Sequence, residues 1–133
     1  MDYFHVTMGR EELLNMSSLG LAHLGDGVFE LMVRTWLCLH GKAKVKDLHR
    51  ATVGYVAAPA QAAAMERLLP LLTQEEADVY RRGRNTAPHS VPRAATRAQY
   101  QSATGLEALF GWLYLQGRTD RLNELFDHIM HEK

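Results

Sequence analysis

The stretch Ser18 to His40, SLGLAHLGDGVFELMVRTWLCLH, carries apolar side chains at helical spacing on more than one face. Leu21, Leu24, Val28 and Leu31 form one row, and Phe29, Val33 and Trp36 form its neighbour. Gly41 follows as a C-terminal stop. A helix apolar around so much of its circumference has to be central, so the segment predicts a helical bundle built around it.

The rest of the chain agrees, because no run shows the period-two alternation of a half-buried strand. Shorter helices are predicted at about Val45 to Val56 and Ala60 to Leu69, with Pro59 where a first turn tolerates it. Thr73-Gln74-Glu75-Glu76 spells a capping box and starts a helix to about Arg82. Arg84 to Ala95, with Pro88 and Pro92 inside it, reads as a loop. A helix from about Arg97 to Gln116 buries Leu106, Leu109, Phe110, Leu113 and Tyr114. A last one, Asp120 to His131, buries Leu122, Leu125, Phe126, Ile129 and Met130. The expected fold is all-α, with six or seven helices.

At 133 residues and 47% hydrophobic content, the chain is expected to form one domain, residues 1–133, with a core that needs no staple. The lone Cys38 lies in an apolar run and reads as a small hydrophobe in a reducing compartment, which places the protein in the cytoplasm. The N-terminal residues lack the basic and apolar regions of a leader, and no stretch approaches a bilayer span, so no membrane association is expected.

Lys and Arg number 15, as do Asp and Glu, so the surface as a whole is no cationic sponge for nucleic acid. The distribution is uneven. Between Asp78 and Glu107 there is no acid, while Arg81, Arg82, Arg84, Arg93 and Arg97 fall in that window. Lys42, Lys44, Lys46 and Arg50 make a second basic stretch, and acids gather at Glu75 to Asp78 and from Asp120 to Glu132. Such regional polarity suits phosphate binding, and it equally suits an ordinary solvated face.

Asp26 is the anomaly of the central helix, an acid in an apolar segment with Gly25 and Gly27 beside it. A buried carboxylate costs several kcal/mol unless it is paired or coordinated. Each glycine costs roughly 1 kcal/mol against alanine inside a helix, and close approach of a backbone or ligand is the usual return. Glu107 repeats the pattern between Gly105 and Gly111. Two such acids on two central helices can meet and hold a hard cation such as Mg2+, which prefers oxygen ligands and keeps several waters. The competing reading makes each acid half of a structural ion pair, with Arg34 available.

The segment Leu21-Ala22-His23-Leu24-Gly25-Asp26-Gly27-Val28-Phe29-Glu30-Leu31 resembles the first signature of ribonuclease III. Leu106-Glu107-Ala108-Leu109-Phe110-Gly111-Trp112-Leu113-Tyr114-Leu115 resembles the second. The nearest likeness is to the Mini-III branch, a bare catalytic domain without a separate double-stranded-RNA-binding domain. Asp47-Leu48-His49, Ala60-Gln61-Ala62 and Arg81-Arg82-Gly83-Arg84-Asn85 add to that likeness, which runs from about Met16 to Phe126. The resemblance implies a ribonuclease III-type endonuclease bundle that cuts double-stranded RNA as a homodimer. It also implies Asp26 and Glu107 as catalytic metal ligands, Mg2+ as cofactor with Mn2+ as a substitute, and 5′-phosphate and 3′-hydroxyl products. Precursor ribosomal RNA, of the 23S type, is the substrate it suggests.

Two acids of the full-length enzymes are missing, since Ala22 and Thr104 stand in their places. Fewer direct ligands and more water are therefore expected, with Thr104 one turn from Glu107 as a hydrogen-bonding partner. Glu30 is either an acid behind the metal ligands or the partner of Arg34 one turn on. Arg82, Arg84, Asn85, Arg93 and Arg97 are the candidate RNA contacts, and the loop of Pro88 to Arg93 either enters a groove or merely connects. His23 reads as a satisfied helix histidine, and His128 and His131 as a solvated turn without a third metal ligand. The rival functions are a catalytically silent RNA-binding or ribosome-associated relative and a helical protein-interaction module.

Overall fold

A computed structural model describes residues 1–41, 44–86 and 94–131. Seven α-helices occur among them, and no strand: α1 Arg10–Leu14, α2 Ser18–Leu39, α3 Val45–Val56, α4 Ala58–Leu68, α5 Gln74–Asn85, α6 Arg97–Leu115 and α7 Thr119–His131, with a 3-10 turn at Leu69–Leu71. No helix among the described residues is long and apolar enough to cross a membrane.

The helices form where the sequence places them, and their ends follow local chemistry. Ser17 caps α2 by accepting from the Gly20 N–H, and Gly41 ends it with φ +86°. The capping box at α5 is complete, with Thr73 and Glu76 each accepting the other's backbone N–H. A second box, Thr96 with Gln99, starts α6 and was not anticipated from the sequence. Nor was α1, whose five residues are too few to show a period.

The loop expected from Arg84 begins later, because α5 continues through Gly83 to Asn85. The reason is tertiary: a Cβ on Gly83 would lie 2.7 Å from the Ala108 Cβ and 3.1 Å from the Gly105 Cα, so α5 is held against α6 at this residue. Most of the expected loop, residues 87–93 with Pro88, Pro92 and Arg93, lies outside the described residues.

The core follows from α6, which packs on α2, α5 and α4. Phe29, Val33 and Leu37 of α2 meet Leu106, Leu109, Phe110 and Leu113 of α6, with Met65, Leu68, Leu125 and Ile129 around them. Phe29 sits edge-on to Phe110, ring centres 5.4 Å apart. Tyr114, expected inside, is only partly buried. All five apolar residues named for the last helix are buried.

Two expectations for α2 are corrected. Its row of Leu21, Leu24, Val28 and Leu31 is only partly covered by the described residues: Leu21 is buried, but Leu31 is 52% exposed beside an apolar cavity that Phe4, Leu24, Gly27, Val28 and Met32 help to line. Cys38 is exposed rather than a core residue. An apolar periodicity records which faces avoid water, and it does not say whether the same chain supplies the cover.

Candidate metal and nucleic-acid site

Glycine makes the site. A Cβ on Gly25 would lie 1.6 Å from the Glu107 carbonyl oxygen and 2.8 Å from the Gly111 nitrogen. One on Gly111 would lie 2.1 Å from the Leu21 carbonyl oxygen. The backbones of α2 and α6 therefore touch at a crossing that only glycine permits. Asp26 and Glu107 flank this crossing, one on each helix. A Cβ on Gly27 by contrast would meet nothing within 4 Å among the described residues, so only Gly25 of the two glycines beside Asp26 serves that approach.

The two carboxylates meet. They lie within hydrogen-bonding reach of each other, and the Glu107 carboxyl is pushed up to about 8, first by burial and next by the Asp26 charge beside it. The Gln61 amide works in the opposite direction, its Nε2–H donating to Glu107 Oε2 at 3.3 Å. Asp26 is exposed and Glu107 partly buried, which corrects the expectation of two interior acids. No Lys or Arg among the described residues reaches either carboxylate, and Arg34 is taken by Glu30 at 3.0 Å. The ion-pair reading of the site therefore has no partner among those residues.

The other residues singled out lie at different distances from this pair. Thr104 is buried one turn before Glu107, its hydroxyl donating to the Tyr100 carbonyl at 3.0 Å. Glu30 belongs to the helix-surface pair with Arg34. Arg82 and Asn85 are exposed on the last turns of α5, and Arg84 lies over the Tyr80 ring at 5.7 Å. These turns are the ones that Gly83 holds against Gly105 and Ala108, on either side of Glu107 in sequence. Arg97 is exposed at the start of α6. His23, His128 and His131 are exposed.

Gln61 was overlooked as a site residue. It is 2% exposed, sits in a run of alanines on α4, and touches Glu107. Its signal was a single long polar side chain among small apolar ones, where the helix pattern calls for Leu or Met.

The donor set fits a hard divalent cation. Two adjacent carboxylates repel when both are charged, and a cation held by Asp26 and Glu107 would offset that cost and favour the ionised form of Glu107. No group of three or more His, Cys, Asp or Glu that could hold a metal occurs among the described residues. The two acids resemble the sparse, water-rich coordination of Mg2+ rather than a closed zinc site.

An all-α body with two carboxylates meeting at a glycine crossing of its central helices has the architecture of a ribonuclease III domain. Residues 19–118 match the family described as Ribonuclease III domain. The chain is 48% identical over 112 residues to the Mini-ribonuclease 3 of Symbiobacterium thermophilum, covering 84% of this chain and 86% of that one. It is 42% identical over 118 residues to the Mini-ribonuclease 3 of a Thermoanaerobacter species, covering 89% and 83%. A crystal structure of a protein from Fusobacterium nucleatum superposes with a TM-score of 0.81 at 26% identity, covering 88% of this chain and 95% of that one. The chain belongs to the ribonuclease III family, in its Mini-ribonuclease 3 branch.

Proposed function

We propose that the chain is a divalent-metal-dependent endoribonuclease that hydrolyses phosphodiester bonds in double-stranded RNA, with Asp26 and Glu107 as the catalytic metal ligands. The observation that carries this reading is the meeting of those two carboxylates on α2 and α6 with no cation of the described chain beside them. Mg2+, or Mn2+ in its place, supplies there a lowered pKa for water and a counter-charge to the phosphate in the transition state. The protein's own part is to hold two oxygen ligands at a fixed separation and to give up the Glu107 proton. The Gln61 N–H favours the ionised form that this requires.

Arg82, Arg84 and Asn85, on the turns of α5 that Gly83 packs against Gly105 and Ala108 of α6, and Arg97, which opens α6, are the groups assigned to the sugar-phosphate strand in this reading. A duplex read by backbone charge and shape needs no base code. The partly covered apolar row of α2 is the surface of a homodimer in this reading, with two sites related by a two-fold axis cutting opposite strands. Maturation of precursor ribosomal RNA in the cytoplasm is the role that fits the Mini-ribonuclease 3 branch, with 5′-phosphate and 3′-hydroxyl ends as products.

The test compares duplex RNA, single-stranded RNA and duplex DNA with and without Mg2+, for the natural protein, Asp26→Asn and Glu107→Gln. Cutting is expected only of duplex RNA with metal, and each variant is expected to lose at least about a hundredfold in rate. Undiminished cutting by both variants rejects the site. Metal-independent RNA binding without cutting by the natural protein rejects the nuclease.

A further inference from the structure

We propose that Gln61 is a positioning residue of the metal site, holding the Glu107 carboxylate through its Nε2–H and offering its Oε1 to a water in the cation's hydration shell. The inference deepens the metal-dependent reading above and rests on it.

The argument begins with the amide's orientation. Gln61 Nε2 lies 2.8 Å from the Val56 carbonyl oxygen and 3.3 Å from Glu107 Oε2, so it faces two acceptors. Turning the amide over would set Oε1 against both, which leaves one arrangement that satisfies its neighbours. Both hydrogens of Nε2 are then used. Val56 closes α3, so its carbonyl anchors the amide from a different helix than the one carrying Glu107.

The other end of the amide is unsatisfied. Gln61 Oε1 is buried and has no hydrogen-bond partner among the described residues. An acceptor left so costs about 1–3 kcal/mol, and a Leu or Met at this place in α4 would avoid the cost altogether. A buried amide with one end spent on a carboxylate and the other unused is incomplete as a structural device. It is complete if a donor arrives with the ligand. A cation held by only two protein carboxylates keeps several waters, whose polarised hydrogens need acceptors close to those carboxylates. Gln61 Oε1 is one amide group away from Glu107 Oε2 and is such an acceptor. No group of three or more metal-ligating side chains occurs among the described residues, so groups that hydrogen-bond the two carboxylates and the ion's waters would carry a larger share of the hold on the ion.

The experiment measures Mg2+ binding by calorimetry, without RNA, for the natural protein, Gln61→Met, Gln61→Glu and Asp26→Asn, together with the Mg2+-induced shift in thermal midpoint. Gln61→Met keeps the side-chain length, loses both functions of the amide, and is expected to raise the Mg2+ Kd at least about tenfold. Gln61→Glu loses the donor but places a third charged oxygen at the site, and its Mg2+-induced midpoint shift is expected to exceed that of the natural protein. A purely structural tie to Val56 would leave Kd and midpoint shift alike in all folded Gln61 variants, and Kd values within twofold of the natural protein overturn the proposal. In the natural protein, the Gln61 side-chain amide resonances are expected to move along the same Mg2+ isotherm. If Gln61→Met does not fold, unmoved resonances overturn the proposal by themselves. A natural protein with no Mg2+ site that Asp26→Asn weakens is the separate result that removes the metal reading itself.

Discussion

Replacing Gly25 by alanine is expected to unfold the site from its foundation. The added Cβ would lie 1.6 Å from the Glu107 carbonyl oxygen, 2.5 Å from the Glu107 carbonyl carbon and 2.8 Å from the Gly111 nitrogen. Ordinary contact begins beyond about 3.4 Å, so α2 and α6 would have to part by roughly 1.5–2 Å at their crossing. All three obstructing atoms are backbone in the middle of helices, and no side-chain rotation relieves them. Overpacking a core costs about 1–3 kcal/mol where side chains can shift, and more where they cannot. A loss of at least about 3–4 kcal/mol follows, a large part of a stability of about 5–15 kcal/mol for a small domain. The matched control is Gly54→Ala on α3, where a Cβ meets nothing within 4 Å and helix propensity should gain about 0.5–1 kcal/mol. Urea unfolding of both variants, followed by circular dichroism, gives the two free energies. A Gly25→Ala protein within about 0.5 kcal/mol of the natural one would refute the backbone-contact account of the crossing. A Gly25→Ala protein that folds but holds Mg2+ poorly would show the two carboxylates drawn apart.

The Glu107 carboxyl is pushed up to about 8, first by burial and then by the charge of Asp26. Its folded value lies above its unfolded one, so its contribution to stability is complete below about pH 4.5 and is lost as the pH rises through about 8. The full displacement is worth about 5 kcal/mol, but Asp26 is exposed and water screens its charge, which leaves on the order of 2 kcal/mol. Urea midpoints in a chelator at pH 5 and pH 9 should therefore fall with rising pH for the natural protein and stay flatter for Glu107→Gln, with Mg2+ removing the difference. Equal slopes for the two proteins would refute the assignment. Separately, Leu31→Arg, on the partly covered apolar row of α2, is expected to convert a dimer to monomers in sedimentation or light scattering. A natural protein that runs as a monomer, or a variant of unchanged mass, would refute this surface as a dimer contact.

The helices were legible in the sequence because their apolar residues recur at 3.6-residue spacing and their caps are local, as at Thr73 and Gly41. What a single chain's periodicity cannot express is the identity of the neighbour. It grouped Leu31 with the apolar row and read Cys38 as a small hydrophobe, although the described residues leave Leu31 half exposed and Cys38 exposed. It ended α5 near Arg82, where a glycine and arginines weaken the helix locally, whereas the contact of Gly83 with Gly105 and Ala108 carries the helix to Asn85. Gln61 holds a core position of α4 with a polar side chain, but its meaning depends on residues 5 and 46 positions away, which the periodicity does not reveal.

At the candidate site, Asp26 is singled out in the sequence for a reason that the fold does not supply. Asp26 was singled out because a carboxylate in an apolar helix needs compensation. The fold supplies none by pairing, since Asp26 is simply exposed, and the burden of burial falls on Glu107 alone. That asymmetry suits the metal site proposed above: one carboxylate open to solvent, and one held from behind by Gln61. The clue that does bear weight is Gly25. A glycine inside a helix lowers its stability, and a Cβ on Gly25 would enter the backbone of the residue that carries the second acid, which ties the two carboxylates together through the packing of α2 on α6.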